Sequence, residues 1–307
     1  MSTVLNRFGD YLLEKAFASE CKQAGLTEVA VQLSFGNVDY LRSRNTAQPS
    51  SDAIVMLHGA AADKTSWTGF AKFLYSKTPL VIPDLPGHGK SVADINLCYS
   101  INAQAKRLKE FLSALGIKRV HLIGNSMGGA IATHLAATSP DLVASLVLIS
   151  AAGFEASPSW LRQHVAQTGV NPMLELSDAS GYRGMMRIGM VAPPYLPGII
   201  LSALARVFVR RKAINQKIVD DFMPDLNQTE GLSKIVAPAL IIWGADDKVE
   251  HVDNAEFLHQ RLANSRVIVM EGIGHVPMVE DPKRVADACR TFFADAVTAA
   301  APALSIA

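Results

Sequence analysis

The sequence is poor in cysteine, lacks any long apolar run and carries almost no net charge. Its three cysteines lie far apart and form no C-x-x-C pair, which argues against a disulfide framework and against a zinc site. No run of about 18 or more apolar residues occurs, so no membrane-spanning helix is expected. The net charge of +1, with no block of like charges, does not provide the basic face that nucleic-acid binding requires. We therefore expect no nucleic-acid partner.

The first 20 residues do not resemble a secretory signal. Asp10, Glu14 and Glu20 interrupt the continuous apolar core that such a signal needs, and a cytoplasmic location is expected. The apolar residues recur at helical spacing instead, which predicts an N-terminal helical segment over 1–27. Two interpretations stay open: the helix packs on the domain, or it lies at the surface and makes weak peripheral contact with a membrane.

Short apolar runs alternate with longer amphipathic stretches along most of the chain. This alternation predicts a mostly parallel central sheet with helices on both faces, an α/β fold. An early pair of strands is predicted in "TEVAVQLSF" and "VDYLRSR". The later predicted strands are "AIVMLHG", "PLVIPDLP", "RVHLIGNS", "LVASLVLIS", "ALIIWG" and "RVIVMEG".

One long stretch departs from the alternation. Residues 153–233 contain helical patterns punctuated by proline but no strand followed by a crossover helix. Because a structureless loop of this length is uncommon in a compact domain, we predict a helical cap inserted into a core of residues 28–152 and 234–296. The last residues, 297–307, are small and predict a flexible tail.

The sequence "HLIGNSMGGA" contains G-x-S-x-G at the end of a predicted strand and the start of a predicted helix. In that context the motif places a serine on a tight, strained turn, with glycines where side chains would collide. Ser126 is therefore a candidate nucleophile. The backbone N–H of Met127, at the positive end of the helix, is a candidate donor to an oxyanion.

A serine hydroxyl needs a base and a group that orients the base. His275 follows the last predicted strand, the position expected of the base when the chain order is Ser, acid, His. "LIIWGADDKVE" supplies two candidate acids, Asp246 and Asp247, and the residues alone leave both open. The loop after the third strand supplies the second oxyanion donor, for which the N–H of Ala60 is the candidate.

Five segments in this order resemble the α/β-hydrolase superfamily: "LHGAAADKTSW", "VIPDLPGHGKS", "HLIGNSMGGA", "PALIIWGADDKV" and "GIGHVPMVEDP". The likeness covers residues 28–295, and within the superfamily it is strongest to monoacylglycerol-lipase-like serine hydrolases and related bacterial lipases and esterases. In that family the acid is the fourth residue of G-x-x-D, which implies Asp247, and the oxyanion donor of the loop after the third strand follows His-Gly, which implies Ala60. Mammalian members begin with a membrane span, and the polar start of this chain departs from that pattern.

Two other functions compete with ester hydrolysis. Meta-cleavage carbon–carbon bond hydrolases share "GNSMGG" with this chain. Their family pattern also has a Gly-Pro-rich oxyanion loop and a Trp directly after the catalytic His. Here the oxyanion loop is alanine-rich and Val276 follows His275, which favours an esterase or lipase. The second competitor is a ligand-binding protein that retains the fold without catalysis, for which an intact Ser-Asp-His set is unnecessary.

The most apolar part of the predicted cap is 185–211, which forms either a wall for an acyl chain or simply the buried face of the cap. The expected function is hydrolysis of monoacylglycerols or short- to medium-chain acyl esters by Ser126, Asp247 and His275. No metal and no organic cofactor is expected, and the sequence leaves the oligomeric state open. The predicted substrate-binding residues are Ala61, Met185, Met186, Met190, Leu196, Val249 and Val276.

Overall fold

The computed structural model describes residues 2–44, 51–74 and 78–300. Eight strands in these residues form one sheet with the order β1-β2-β4-β3-β5-β6-β7-β8. The strands are Leu26–Leu33 (β1), Gly36–Ser43 (β2), Asp52–Leu57 (β3), Leu80–Pro83 (β4), Arg119–Ser126 (β5), Val143–Ala151 (β6), Ala239–Gly244 (β7) and Ser265–Met270 (β8).

The direction of the strands agrees with the predicted mostly parallel sheet. Strand β2 pairs antiparallel with both β1 and β4, and every other neighbouring pair is parallel. The carboxyl ends of β3, β5, β7 and β8 therefore meet at one edge of the sheet, where a parallel α/β sheet presents its functional loops.

The helices complete the layers around the sheet. They are Ser2–Gln23 (α1), Thr68–Ala71 (α2), Ile101–Ala114 (α3), Met127–Thr138 (α4), Trp160–Thr168 (α5), Ala179–Gly189 (α6), Gly198–Arg210 (α7), Lys212–Phe222 (α8), Asp253–His259 (α9), Pro277–Glu280 (α10) and Pro282–Ala300 (α11).

Two apolar cores lie on the two faces of the sheet. Strand β6 contributes to both because its side chains alternate: Leu146 and Leu148 join one core, Val147 and Ile149 the other. Helices α3, α4 and α9 cover the first face, and α2, α10 and α11 cover the second. The prediction of helices on both faces is therefore confirmed.

Four helices, α5 to α8, lie between β6 and β7, inside the range 153–233 for which the sequence predicts the helical cap. Helix α1 packs against one of them, α7. A Cβ on Gly9 would lie 3.1 Å from the side chain of Ile199, and Arg206 donates hydrogen bonds to Asn6 and Asp10. At Ile199, then, the apolar segment of the cap is covered by α1.

Among the helices that the structure describes, none is both long enough and apolar enough to cross a membrane. Helix α11 extends to Ala300, into the range predicted as a tail, and residues 301–307 of that range lie outside the described residues.

Candidate active site

The turn between β5 and α4 holds Ser126 in a strained conformation. Its φ of 53° and ψ of −123° lie in a left-handed region that costs an L-residue about 1–3 kcal/mol. A Cβ on Gly124 would overlap the carbonyl of Gly128, and a Cβ on Gly128 would overlap the carbonyl of Leu57. The turn thus requires glycine at both positions, and it leaves Ser126 partly exposed at the carboxyl edge of the sheet.

Helix α4 begins at Met127, directly after Ser126. Met127 is buried, and its backbone N–H is the first of the helix. The first N–H groups of a helix have no partner within the helix and attract negative charge. This end of α4 is suited to hold an anion that forms at Ser126.

A hydrogen bond joins His275, in the loop after β8, to Asp247, in the loop after β7. The distance from His275 Nδ1 to Asp247 Oδ2 is 2.9 Å. The other carboxylate oxygen of Asp247 accepts hydrogen bonds from the backbone N–H groups of Val249 at 2.8 Å and Glu250 at 3.0 Å. Both oxygens are therefore engaged, which fixes the carboxylate and leaves Nε2 of His275 as the ring nitrogen available for chemistry.

The neighbouring Asp246 does not take part in this arrangement. Its side chain is exposed, and its Oδ2 accepts a hydrogen bond from the backbone N–H of Gly272 at 3.1 Å. The two candidate acids are thus separated by their orientation in the turn. Asp247 faces the buried His275, and Asp246 shapes the exposed connection after β8.

The pKa of His275 reflects two opposed effects. Burial lowers the pKa because it penalises the charged ring, while the charge of Asp247, the hydrogen bond to it and the charge of Glu250 together raise the pKa by more. The net result is a pKa above the ordinary histidine value. Asp247 therefore stabilises the positive charge that the imidazole of His275 would gain on accepting a proton.

A second carboxyl group lies next to the pair. Glu250 is buried, and burial raises its pKa to about 7, with Arg162 opposing the shift and Asp247 adding to it. The guanidinium of Arg162, in α5, lies 3.9 Å from the Glu250 carboxylate. The sequence analysis did not single out Glu250, because burial beside Asp247 is a property of the tertiary structure.

The residue before the serine ties the histidine loop to the sheet. The side-chain amide of Asn125 donates hydrogen bonds to the carbonyl of His275 at 3.1 Å and to that of Ile149 at 3.0 Å. The residue directly before Ser126 therefore restrains the backbone of His275. The sequence analysis missed this role, although Asn125 lies inside the G-x-S-x-G motif.

The loop that contains Ala60 lies against the serine. A Cβ on Gly59 would be 3.1 Å from Cβ of Ser126. Nε2 of His58 accepts the N–H of Leu85 at 3.0 Å, so Nδ1 carries the proton and donates to the carbonyl of Gly59 at 2.8 Å. Burial lowers the pKa of His58, which keeps the ring neutral in this loop-ordering position.

Two predicted substrate-binding residues pack against the same apolar cluster. Ala61, with a left-handed φ of 56°, and Met185 of α6 both pack against an apolar cluster of Leu174, Leu176 and Phe208. Apolar residues of the predicted cap therefore pack against Ala61, the residue that follows Ala60.

The other predicted substrate-binding residues occupy three surroundings. Met186 is buried in α6. Met190 directly follows α6, and Leu196 lies half-buried further along the connection to α7. Val249 donates its backbone N–H to Asp247, and Val276 lies between His275 and the first residue of α10. Met190, Val249 and Val276 thus lie around the Asp–His pair, whereas Met186 packs inside the cap.

In the part of the chain that the structure describes, no group of three or more His, Cys, Asp or Glu side chains is arranged to hold a metal ion.

A further residue that the sequence analysis missed is Glu280, which accepts hydrogen bonds from backbone groups of both the histidine loop and the cap. It lies within the segment "GIGHVPMVEDP", but its partners are distant in sequence.

A sheet of this topology, with a serine at a strand–helix turn and an Asp–His pair in the last two loops, is the arrangement of a serine hydrolase fold. A model of the alpha/beta hydrolase family matches residues 54–288. The chain belongs to the alpha/beta hydrolase family.

Several characterised proteins are similar along most of the chain. Lipase 1 of Psychrobacter immobilis is 32% identical over 285 residues, which cover 91% of this chain and 88% of the lipase. Human monoacylglycerol lipase ABHD6 is 31% identical over 264 residues, which cover 82% of this chain and 77% of that enzyme. A crystal structure of a membrane phospholipase A from a bacterium superposes with a TM-score of 0.90 at 33% identity, covering 96% of this chain and 94% of that one.

Proposed function

We propose that the protein is a serine carboxylester hydrolase that cleaves monoacylglycerols or short- to medium-chain acyl esters through an acyl-enzyme. The observation that carries this proposal is the hydrogen-bonded Asp247–His275 pair in loops adjoining the strained turn of Ser126. The similarity to lipases and monoacylglycerol lipases supports a lipid or ester substrate.

In the proposed mechanism, Ser126 Oγ attacks the ester carbonyl carbon while Nε2 of His275 takes the hydroxyl proton. The carbonyl electron pair moves onto oxygen, and the N–H groups of Ala60 and Met127 stabilise the resulting oxyanion. His275 then gives the proton to the departing alcohol, which leaves an acyl group on the serine. Water, deprotonated by the same imidazole, attacks the acyl carbon and releases the acid.

Asp247 acts through His275 in this scheme. Its carboxylate holds the Nδ1–H tautomer, so that Nε2 is free to accept the serine proton, and it stabilises the imidazolium that follows. Both oxygens of Asp247 already have partners, which supports a fixed orientation of the ring rather than a mobile one.

The apolar residues packed around Ala61 support an apolar substrate. Ala61 is small, and with Met185 it packs against an apolar cluster of Leu174, Leu176 and Phe208. A pocket with apolar walls and few polar groups favours an acyl chain over a charged substrate. Methionine side chains are flexible enough to adapt to chains of different length.

A panel of esters tests the substrate class. We expect the protein to hydrolyse p-nitrophenyl esters from acetyl to palmitoyl and monoacylglycerols of the same acyl series, with the highest kcat/KM at short to medium length. A meta-cleavage dienoate in the same panel should remain intact, and a fluorophosphonate should label the protein. Cleavage of the dienoate without ester hydrolysis would identify a carbon–carbon bond hydrolase, and an unlabelled, inactive protein would identify a ligand-binding one.

We also propose that α1 makes weak peripheral contact with a membrane surface. Although one side of the helix packs on α7, the side chains of Val4, Leu5, Phe8 and Tyr11 are 75%, 63%, 52% and 52% exposed, an apolar face of the kind that inserts shallowly at an interface. The similarity to a membrane phospholipase A supports the same contact.

Sedimentation with vesicles of phosphatidylcholine and phosphatidylglycerol tests this contact. The unchanged protein should sediment with the vesicles, and the double variant Leu5→Glu, Phe8→Glu should bind several-fold more weakly because charged side chains resist burial among acyl chains. Val236→Glu, at a residue that is 75% exposed outside α1, is the matched control and should bind as the unchanged protein does. Equal binding by all three proteins would contradict the contact.

A further inference from the structure

The connection between α6 and α7 lies directly against the loop that holds His275. The backbone N–H of His275 donates a hydrogen bond to the carbonyl of Gly189, the last residue of α6, at 2.8 Å. A Cβ on Gly274 would lie 2.8 Å from that same carbonyl and 3.1 Å from Cα of Met190. The cap and the histidine loop therefore touch through their backbones, with no side chain between them.

Glu280 joins these two segments a second time. One oxygen of its carboxylate accepts the backbone N–H of Gly274 at 2.7 Å. The other oxygen accepts the N–H groups of Val191 at 2.8 Å and Ala192 at 2.9 Å. Hydrogen bonds from N–H groups to an ionised carboxylate are stronger than those between neutral groups, so three of them on one side chain make a firm link.

The position of Glu280 is itself well defined. It is the last residue of the short helix α10, which starts at Pro277, two residues after His275, and its own N–H donates to the carbonyl of Val276 at 3.1 Å. The Glu280 carboxylate thus contacts the His275 loop, which directly precedes α10. A displacement of the cap connection would be passed to Gly274 and then to the adjacent His275.

The three other restraints on His275 come from the core of the protein. Asp247 holds the ring, Asn125 holds the carbonyl, and the sheet closes on the loop from below, where a Cβ on Gly244 would overlap the carbonyl of Gly274. The restraints from above come from the cap, through Gly189 and through Glu280. His275 is therefore held between the sheet and the cap.

We propose that Glu280 is a positioning residue that fixes the α6–α7 connection and the His275 loop relative to each other, so that the acyl-binding cap and the catalytic base are aligned as one unit. This inference rests on the proposed function for its catalytic consequence. Its structural part, the coupling of the two segments, is measurable without any activity.

Two substitutions separate the two ends of the link. Glu280→Ala removes all three hydrogen bonds. In Glu280→Gln the amide oxygen can still accept two N–H groups from the cap, while the amide NH₂ faces the N–H of Gly274 and cannot accept it. Glu271→Ala, at an exposed glutamate of the same loop, is the matched control.

Amide hydrogen exchange measures the coupling. In Glu280→Ala we expect exchange about tenfold faster or more in both 189–192 and 272–276, because local opening no longer breaks three hydrogen bonds. In Glu280→Gln the faster exchange should be confined to 272–276, and Glu271→Ala should match the unchanged protein. Unchanged exchange in 272–276 of the alanine variant would overturn the proposal, and the glutamine variant decides the same point if the alanine variant does not fold.

Kinetics then distinguish positioning from a merely structural role. Glu280→Ala should lower kcat on p-nitrophenyl butyrate about tenfold or more because a small misplacement of the base is costly, and it should raise KM for long acyl esters. Glu280→Gln should lower kcat with KM for long esters nearly unchanged. Unaltered kcat in folded variants would overturn the positioning role, whereas failure of the unchanged protein to hydrolyse any ester would instead refute the proposed function.

Discussion

Replacement of Ser126 by alanine is expected to lower kcat for ester hydrolysis by about a million-fold, the loss seen when a triad serine is removed from a comparable enzyme. The hydroxyl is the only part of the side chain that the substitution deletes, so the fold should persist. The measurement is kcat/KM on the best ester of the panel, together with fluorophosphonate labelling, which should disappear. A variant that retains near-normal activity would show that another group is the nucleophile.

The glycine variant at the same position provides an independent check on the turn. Alanine retains a Cβ at φ 53°, ψ −123°, whereas glycine adopts such angles without strain. Relief of about 1–3 kcal/mol of strain exceeds the entropic cost of glycine, about 0.5–1 kcal/mol. Ser126→Gly should therefore unfold at a higher temperature than Ser126→Ala, and both should be inactive.

Replacement of Asp247 by asparagine is expected to reduce kcat by about 10⁴-fold. The amide oxygen of asparagine must remain with the N–H groups of Val249 and Glu250, which donate to Oδ1 of Asp247 at 2.8 and 3.0 Å. The amide NH₂ then faces Nδ1 of His275, so the ring is forced to place its proton on Nε2. In that tautomer Nε2 cannot accept the proton of Ser126.

Asp246→Asn is the matched control, one residue away in the same turn. Asp246 is exposed and accepts a hydrogen bond from Gly272 rather than from His275, so its variant should retain kcat within about threefold. A greater loss in Asp246→Asn than in Asp247→Asn would reverse the assignment of the acid.

The variants Asp247→Asn and Asp246→Asn should also differ in how kcat/KM depends on pH. Only the neutral imidazole of His275 accepts a proton, so activity falls as the pH drops through its pKa. That pKa is raised, and the acid limb of kcat/KM for the unchanged protein should lie above pH 6.5. In Asp247→Asn the charge is lost while burial remains, so the limb should move to lower pH. In Asp246→Asn it should stay where it is.

The strands and the serine turn were predictable because local patterns specify them. Strand β5 matches its predicted range, 119–126, since Val120, Leu122 and Ile123 followed by a glycine are typical of a strand covered on both faces. The turn at Ser126 was predictable for a similar reason. Any side chain at position 124 or 128 would collide with the backbone, so both positions require glycine. This glycine pattern spans only five residues and is visible in the sequence.

The contacts across the site were less predictable. His275 and the choice between Asp246 and Asp247 depended on chain order and on a family resemblance, because two adjacent aspartates differ only in which way the turn directs them. Asn125, Glu250 and Glu280 went unnoticed. Asn125 and Glu280 contact His275 and Val191, which lie 150 and 89 positions away, and the cation beside the Glu250 carboxylate is Arg162 of α5. No local periodicity encodes such pairs.

The sequence by itself determined the layered α/β architecture, the strained serine turn and the likeness to a family of ester hydrolases, since all of these follow from short-range apolar patterns and motifs. The tertiary structure was needed to show that Asp247 contacts His275, a choice that the residues without the family resemblance left open, and that Glu280 links the α6–α7 connection to the histidine loop. The reason is physical. These features are hydrogen bonds between distant segments, and their partners come within reach only when the sheet and the cap have folded against each other.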